Sequence, residues 1–175
     1  MIVGNRVPRD YFITSGKGES DNSMQPGSFD RALKGAKIHN FNIIQYSSIL
    51  PRTAVKIDMP KKYTPGAIME SIMAVKSGKK GEVLTSGLMV TWVFDKESGE
   101  SIGGLVAQYS GHDGIEAAKV ELEKTMKEMF HCRYDPEKFV TGEVETIMES
   151  FIPQKAFGTV IVAIGFTSHE IPVMD

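Results

Sequence analysis

The chain has 175 residues, 41% of them hydrophobic, with 20 Lys and Arg against 22 Asp and Glu and a formal charge of −2. That is enough for one ordinary domain with a real core, and a near-neutral balance with no basic block argues against a nucleic-acid surface. The one cysteine, Cys132, permits no internal disulfide and has no metal-ligand cluster beside it, and no segment approaches the roughly 20 apolar residues of a membrane span, so a soluble cytoplasmic protein is expected.

Residues Met1 to Pro8 are too short in apolar length for a signal sequence. Tyr11 to Thr14 reads as a strand, broken by Gly16-Lys17-Gly18-Glu19-Ser20 as a flexible loop; the lysine-serine spacing of a P-loop is missing there. Asp21 to Gly27 reads as a polar loop. Ser28 is then expected to cap a helix carrying Phe29, Ala32, Leu33 and Ala36 on one face. Asp30 falls in its first turn, where the helix dipole favours a carboxylate. The apolar run from Asn42 reads as a buried strand that ends in Ser47-Ser48 and is closed by Pro51.

Turn signals at Pro51, Pro60, Lys61, Lys62 and Pro65 precede Gly66 to Val75, a dense apolar stretch that reads as a buried strand with Glu70 on its polar side. Thr85 to Phe94 and Ser101 to Tyr109 form a β-hairpin around Asp95 to Glu100. Asp113 is placed to cap a helix whose apolar residues, Ile115, Ala118, Leu122, Met126 and Met129, keep near-helical spacing. Its methionines suit a core, its Glu121, Glu123, Lys124, Lys127 and Glu128 a solvated face, and Cys132 a half-buried position near its end. Gly142 to Phe151 and Ala156 to Phe166 read as a second antiparallel pair around Pro153-Gln154-Lys155. Sequence-adjacent strand pairs with two helices suggest an α+β domain, helices covering packed sheets.

Two adjacent hydroxyls at the end of an apolar run are the chemical feature of the chain. A Ser48 hydroxyl held against the Ser47 carbonyl can attack it and shift the acyl chain from nitrogen to oxygen. Loss of the resulting acyloxy group leaves dehydroalanine, which hydrolyses to a pyruvoyl group at a new N-terminus, with Ser47 as a new C-terminus. Asn42 could polarise the scissile carbonyl as amide donors do in oxyanion holes. The plain alternative is a strand end whose hydroxyls bond the backbone. A hydrolase reading fails on its partners: His39 and His131 show no carboxylate-plus-serine arrangement, His112 beside Gly111 and Asp113 reads as a loop histidine near a helix cap, and no nucleophile-elbow glycines flank the serines.

The surroundings select between these readings. Phe29-Asp30-Arg31-Ala32-Leu33, Ala36-Lys37-Ile38, Asn40-Phe41-Asn42-Ile43 and Ser47-Ser48-Ile49-Leu50-Pro51 resemble the pyruvoyl-dependent arginine decarboxylases. The likeness continues through Gly18-Glu19-Ser20, Pro65-Gly66-Ala67, Gly103-Gly104-Leu105, Gln108-Tyr109, Phe157-Gly158 and Ala163-Ile164-Gly165-Phe166. It implies a four-layer αββα sandwich of antiparallel-rich sheets, assembled as a homotrimer or a dimer of trimers with its site near subunit boundaries. A proenzyme of this kind is a zymogen. Autocatalytic cleavage after Ser47 would yield a 1–47 chain and a 48–175 chain, with the pyruvoyl cofactor derived from Ser48. Asn42 would assist processing, Asp30 would contact the cationic substrate, and arginine would be converted to agmatine and CO2, for polyamine biosynthesis or acid defence. In this pattern the general acid is a glutamate just before a tyrosine on the second hairpin strand, and here that position is Gln108. A glutamine amide lacks a useful proton-donor pKa, so the resemblance leaves two readings: an enzyme, with another acid such as Glu70 or Asp113 as a rescuing proton source, or a weakly active or non-catalytic paralogue that binds a cationic metabolite or a partner subunit.

Overall fold

The computed structural model describes residues 2–171 and 173–174. Its elements run β1 (Ile2–Val3), β2 (Val7–Pro8), β3 (Asp10–Ser20), α1 (Phe29–Gly35), β4 (Asn42–Gln45), β5 (Ile49–Leu50) and β6 (Val55–Lys56). They continue as β7 (Ile68–Lys79), β8 (Leu84–Asp95), β9 (Ser101–Gly111), α2 (Ile115–Arg133), β10 (Phe139–Phe151), β11 (Phe157–Phe166), β12 (His169–Glu170) and β13 (Val173–Met174). One sheet has the order β4-β7-β11-β3-β6, the other β10-β8-β9-β5, and two short ribbons pair β1 with β13 and β2 with β12. All pairings are antiparallel except β4 with β7 and β3 with β6 at the two edges of the five-stranded sheet.

Side-chain alternation along the strands divides the core into three layers. Phe12, Met69, Met73, Ile161 and Ala163 meet Ala32, Leu33 and Ala36 of α1. Their strand neighbours Tyr11, Ile72, Ala74, Val162 and Ile164 point the other way and meet Leu50, Leu88, Val90 and Val106 of the four-stranded sheet. On that sheet's far side, Met89, Val93, Leu105 and Ala107 pack under Leu122 and Met126 of α2. The result is the expected αββα sandwich, α1 on one outer face and α2 on the other. Each central strand is apolar on both faces because each is covered on both. A fully buried residue such as Leu122 contributes about 1.5–3 kcal/mol by leaving water.

The glycines at 16 and 18 mark a close approach rather than a loop, and β3 runs unbroken to Ser20. A Cβ on Gly16 would lie 2.2 Å from the Ala36 nitrogen, and one on Gly18 2.4 Å from that of Ala32. Helix α1 therefore rests directly on the strand backbone, which no other residue permits. Upstream of it, Met24–Ser28 forms a wide helical turn in place of a plain polar loop, with the Ser23 hydroxyl accepting from the Gly27 amide at 3.2 Å. Ser28 does hold the N-cap position of α1, but with helical backbone angles and no side-chain capping bond; its buried hydroxyl instead lies 2.8 Å from that of Thr159.

Several further expectations are corrected by the packing. The stretch from Asn42 to Leu50 is not one buried strand but two short ones in different sheets, and Ile44 is 46% exposed. Strands β10 and β11 do not pair with each other: β10 lies on β8, whereas β11 sits between β3 and β7. Strand β11 is buried from Gly158 to Phe166 and is stable only in mid-sheet, while β10, with an exposed polar face, takes an edge. Glu70 is buried at 1% exposure instead of facing water. Gly114, not Asp113, is the cap residue of α2. Ile115 is 45% exposed, beyond the stripe formed by Ala118, Leu122 and Met126. Cys132 is exposed rather than half-buried. No helix among the described residues is long and apolar enough to cross a membrane.

Candidate active site

The Ser47–Ser48 bond lies at the first of the chain's passages from one large sheet to the other, between β4 and β5. Up to Gln45 it is strand β4, laid parallel to β7, and the Tyr46 amide makes the last bond to that sheet, to the Ser71 carbonyl at 2.7 Å. From Ser48 it belongs to the second sheet: the Ser48 carbonyl accepts from the Val106 amide at 2.9 Å, and Ile49 and Leu50 then pair with Leu105 and Gly104 of β9. Ser47, exposed, lies between these two anchors. Strand β5 is able to lie on β9 because of Gly103-Gly104. Gly103 adopts φ +139°, and a Cβ there would stand 3.0 Å from the Leu50 carbonyl.

Ser48 and Gln108 are brought into contact. The Gln108 side-chain amide donates to the Ser48 hydroxyl at 3.1 Å. Alternation along β9 explains the direction: Val106 lies in the inter-sheet core, Ala107 and Tyr109 pack toward α2, and Gln108 returns to the inter-sheet side, where β5 runs. Asp113 belongs to the opposite face. It accepts a hydrogen bond from the Tyr109 hydroxyl, whose pKa is raised by burial and further by this bond. Its rescue of the Gln108 position is therefore not favoured by the geometry.

Asn42 and α1 form a second group. Phe29 and Leu33 of α1 line a cavity of about 330 Å³ together with Phe41, Asn42, Ile43, Gln45 and Met73. Asp30, the residue after Phe29, is exposed in the first turn of α1 and makes no ion pair among the described residues. The Asn42 side-chain amide donates to the Gly66 carbonyl at 2.8 Å, and no hydrogen bond joins it to Ser47 or Ser48 among the described residues. Processing by Asn42 thus requires its amide to act through its second proton or to turn.

Sequence reading missed two parts of this neighbourhood. The Val106 amide, which holds the Ser48 carbonyl, carries no side-chain signature. The other is a buried cluster around Glu70, which pairs in register with Ile44 of β4. Its carboxylate accepts from Arg6, while His169 Nε2 lies 3.1 Å away but off-line for a hydrogen bond. Arg6 and His169 come from opposite ends of the chain, so no spacing rule finds them. His112 is held by its ring nitrogen at 2.9 Å from the Val83 carbonyl, a structural contact. No group of three metal-ligating side chains occurs among the described residues.

Comparison with known proteins follows the same outline. A family model described as pyruvoyl-dependent arginine decarboxylase matches residues 10–171. The pyruvoyl-dependent arginine decarboxylase AaxB of Chlamydia muridarum is 32% identical over 191 residues, spanning 97% of this chain and 96% of that protein. AaxB of Chlamydia abortus is 33% identical over 188 residues, with shares of 97% and 96%. The pyruvoyl-dependent arginine decarboxylase of Methanopyrus kandleri is 33% identical over 157 residues, spanning 90% of this chain and 95% of its own. With a match over nearly its whole length and relatives of the same size, the chain belongs to the pyruvoyl-dependent arginine decarboxylase family.

Proposed function

We propose that this chain is a self-processing proenzyme that decarboxylates L-arginine to agmatine and CO2. The observation that carries the reading is the position of Ser47–Ser48, at a direct step between two sheets with an anchor on each side and an amide donor on the Ser48 hydroxyl. A break there leaves residues 1–47 held by β3, α1 and β4, and residues 48–175 held by β5 on β9.

In processing, Ser48 Oγ bonds to the Ser47 carbonyl carbon, the C–N bond breaks, and the proton passes from oxygen to nitrogen. Removal of the Ser48 α-proton then expels the Ser47 carboxylate, and one water replaces the nitrogen, released as ammonia, to leave the ketone. The residues fit such a group, since the Gln108 N–H that bonds a hydroxyl suits a carbonyl oxygen equally well. Once formed, the pyruvoyl ketone supplies an electron sink for the charge left by departing CO2.

The chain's own residues hold the substrate and its protons. The Asp30 carboxylate suits a guanidinium, which it can accept through two parallel hydrogen bonds. Phe29 and Leu33 offer apolar walls for the methylenes. Gln108 can orient the reacting group but cannot deliver a proton, so turnover is slow. Assembly into a homotrimer or a dimer of trimers is part of the proposal, and the exposed Ile44 of β4 and Ile68 of β7, at 46% and 61%, support burial by another copy.

Intact mass under denaturing conditions tests the reading. Two fragments dividing after Ser47, the larger one reactive with hydroxylamine, together with release of CO2 from arginine, would support it. An uncut chain after long incubation would overturn it. Gln108 favours a second reading, a paralogue that binds a cationic metabolite or partner subunit without turnover; arginine would then raise Tm with no CO2 released.

A further inference from the structure

Away from Ser48, at the open edge of the inter-sheet layer, a cavity of about 460 Å³ lies between β3, β6, β8 and β10. Tyr11 and Trp92 give it aromatic walls, and Glu143, Glu145 and Lys56 ring it. Tyr11 and Lys56 are register partners on β3 and β6, and Glu145 faces Val90 on β10 and β8.

Charge and hydrogen bonding say what it would hold. Two carboxylates face one ammonium, and that ammonium, Lys56, is already bonded to Glu145. Glu143 makes no ion pair among the described residues and is exposed. A second, independent feature is Tyr11. It is only 3% exposed, yet its hydroxyl makes no hydrogen bond among the described residues while it lines the cavity. Its pKa is raised by burial and then by the charge of Glu145, which places that hydroxyl in the field of the carboxylate. Aromatic faces beside an unneutralised carboxylate, here Glu143, attract organic cations. An amino acid would bring its own carboxylate against Glu143 and Glu145, whereas the amine left by decarboxylation would not.

We propose that this aromatic and acidic box is a second binding site, for an organic ammonium or guanidinium, which takes a decarboxylated amine in preference to its parent amino acid. Naming agmatine as that amine rests on the decarboxylase reading above. The box draws Tyr11 from one side of the Ser47–Ser48 bond and its remaining residues from the other, so occupancy would bridge the two processed chains.

Trp92 is the only tryptophan, so its fluorescence reports the site directly. The test titrates agmatine into full-length Ser48→Ala protein, which makes no ketone and turns nothing over. A saturable Trp92 response is expected, weakened about fivefold by Glu143→Gln and about threefold by Tyr11→Phe, with L-arginine at least about tenfold weaker. The response should survive Asp30→Ala, which separates this box from the substrate contact at α1. No saturable response, equal affinity in the Glu143→Gln and Tyr11→Phe proteins, loss in Asp30→Ala, or equal binding of arginine would overturn the proposal. Because the readout needs no cleavage, its failure is distinct from failure of the decarboxylase reading.

Discussion

Gln108 of β9 is joined to Ser48, the residue just before β5, the amide donating to the hydroxyl at 3.1 Å. On the proposed reading this places the residue at the general-acid position beside the reacting serine, so that what it would lack is a releasable proton and not a position. Replacement by glutamate keeps the shape and restores a group that can release a proton. Gln108→Glu is expected to raise arginine decarboxylation at least about tenfold, against the 10²–10⁴ typical of general acid–base assistance. The check is CO2 release at saturating arginine, on samples with equal fractions cleaved. An unchanged rate would remove Gln108 from the proton-donor position.

The two serines have different tasks in the proposed cleavage, and the difference can be measured. Ser48 supplies the attacking oxygen, whereas Ser47 supplies only its main-chain carbonyl. Ser48→Ala should therefore remain a single chain, while Ser47→Ala should still divide, both with unchanged circular dichroism. Mass spectra after equal incubation decide it. Cleavage persisting in Ser48→Ala, or lost in Ser47→Ala alone, would contradict the assignment.

At Glu70 the direction of a mutational asymmetry follows from exposure. Its side chain is 2% exposed, that of Arg6 51%. Removing Arg6 leaves a buried carboxylate with only the misaligned His169 nearby; removing the charge on Glu70 leaves a guanidinium that can turn to water. Arg6→Ala should cost about 1.5–3 kcal/mol, the range for a hydrogen bond to a charged group, and Glu70→Gln about half of that. Urea denaturation midpoints at neutral pH measure both. A larger loss in Glu70→Gln would mean that the carboxylate is not the costly partner to strand.

The layers were legible where periodicity alone decides them. The hairpin of β8 and β9, the stripe Ala118, Leu122 and Met126 on α2, and the two-sided apolar run of β11 all carry their environment in their residue pattern. What periodicity does not carry is which sheet a strand joins. Gly16 and Gly18 read as a loop because close backbone approach by α1 and a flexible turn call for the same residue. The run from Asn42 to Leu50 looks continuous, and only the pairing partners, β7 and then β9, reveal that it changes sheets at Ser47–Ser48. Ser48 stands out as one of two adjacent hydroxyls at the end of an apolar run, whereas Gln108 is singled out only by resemblance to a family. Their contact depends on a pairing between β5 and β9 that no local signal states, and the cluster of Arg6, Glu70 and His169 depends on chain ends meeting.

Alkaline pH offers a test of two phenols, the buried Tyr11 and the partly buried Tyr109. Tyr11 is raised above 10.0 by burial and then by Glu145, and Tyr109 is raised above 10.0 by burial and then by its bond to Asp113. In the unfolded chain both would lose their protons near 10, while the folded chain retains them. Above that pH the unfolded state binds fewer protons than the folded one, so stability declines as pH rises. The contribution is complete below about pH 10 and disappears as pH climbs through the folded-state values. Denaturation midpoints measured from about pH 8 to about pH 11 should fall in the parent protein and fall less steeply in Tyr11→Phe with Tyr109→Phe. Tyr109→Phe should also be less stable at neutral pH, where it loses the bond to Asp113, while Tyr11→Phe loses no hydrogen bond and should stay close to the parent. Equal alkaline slopes in parent and double variant would show that these two hydroxyls are not the groups that titrate.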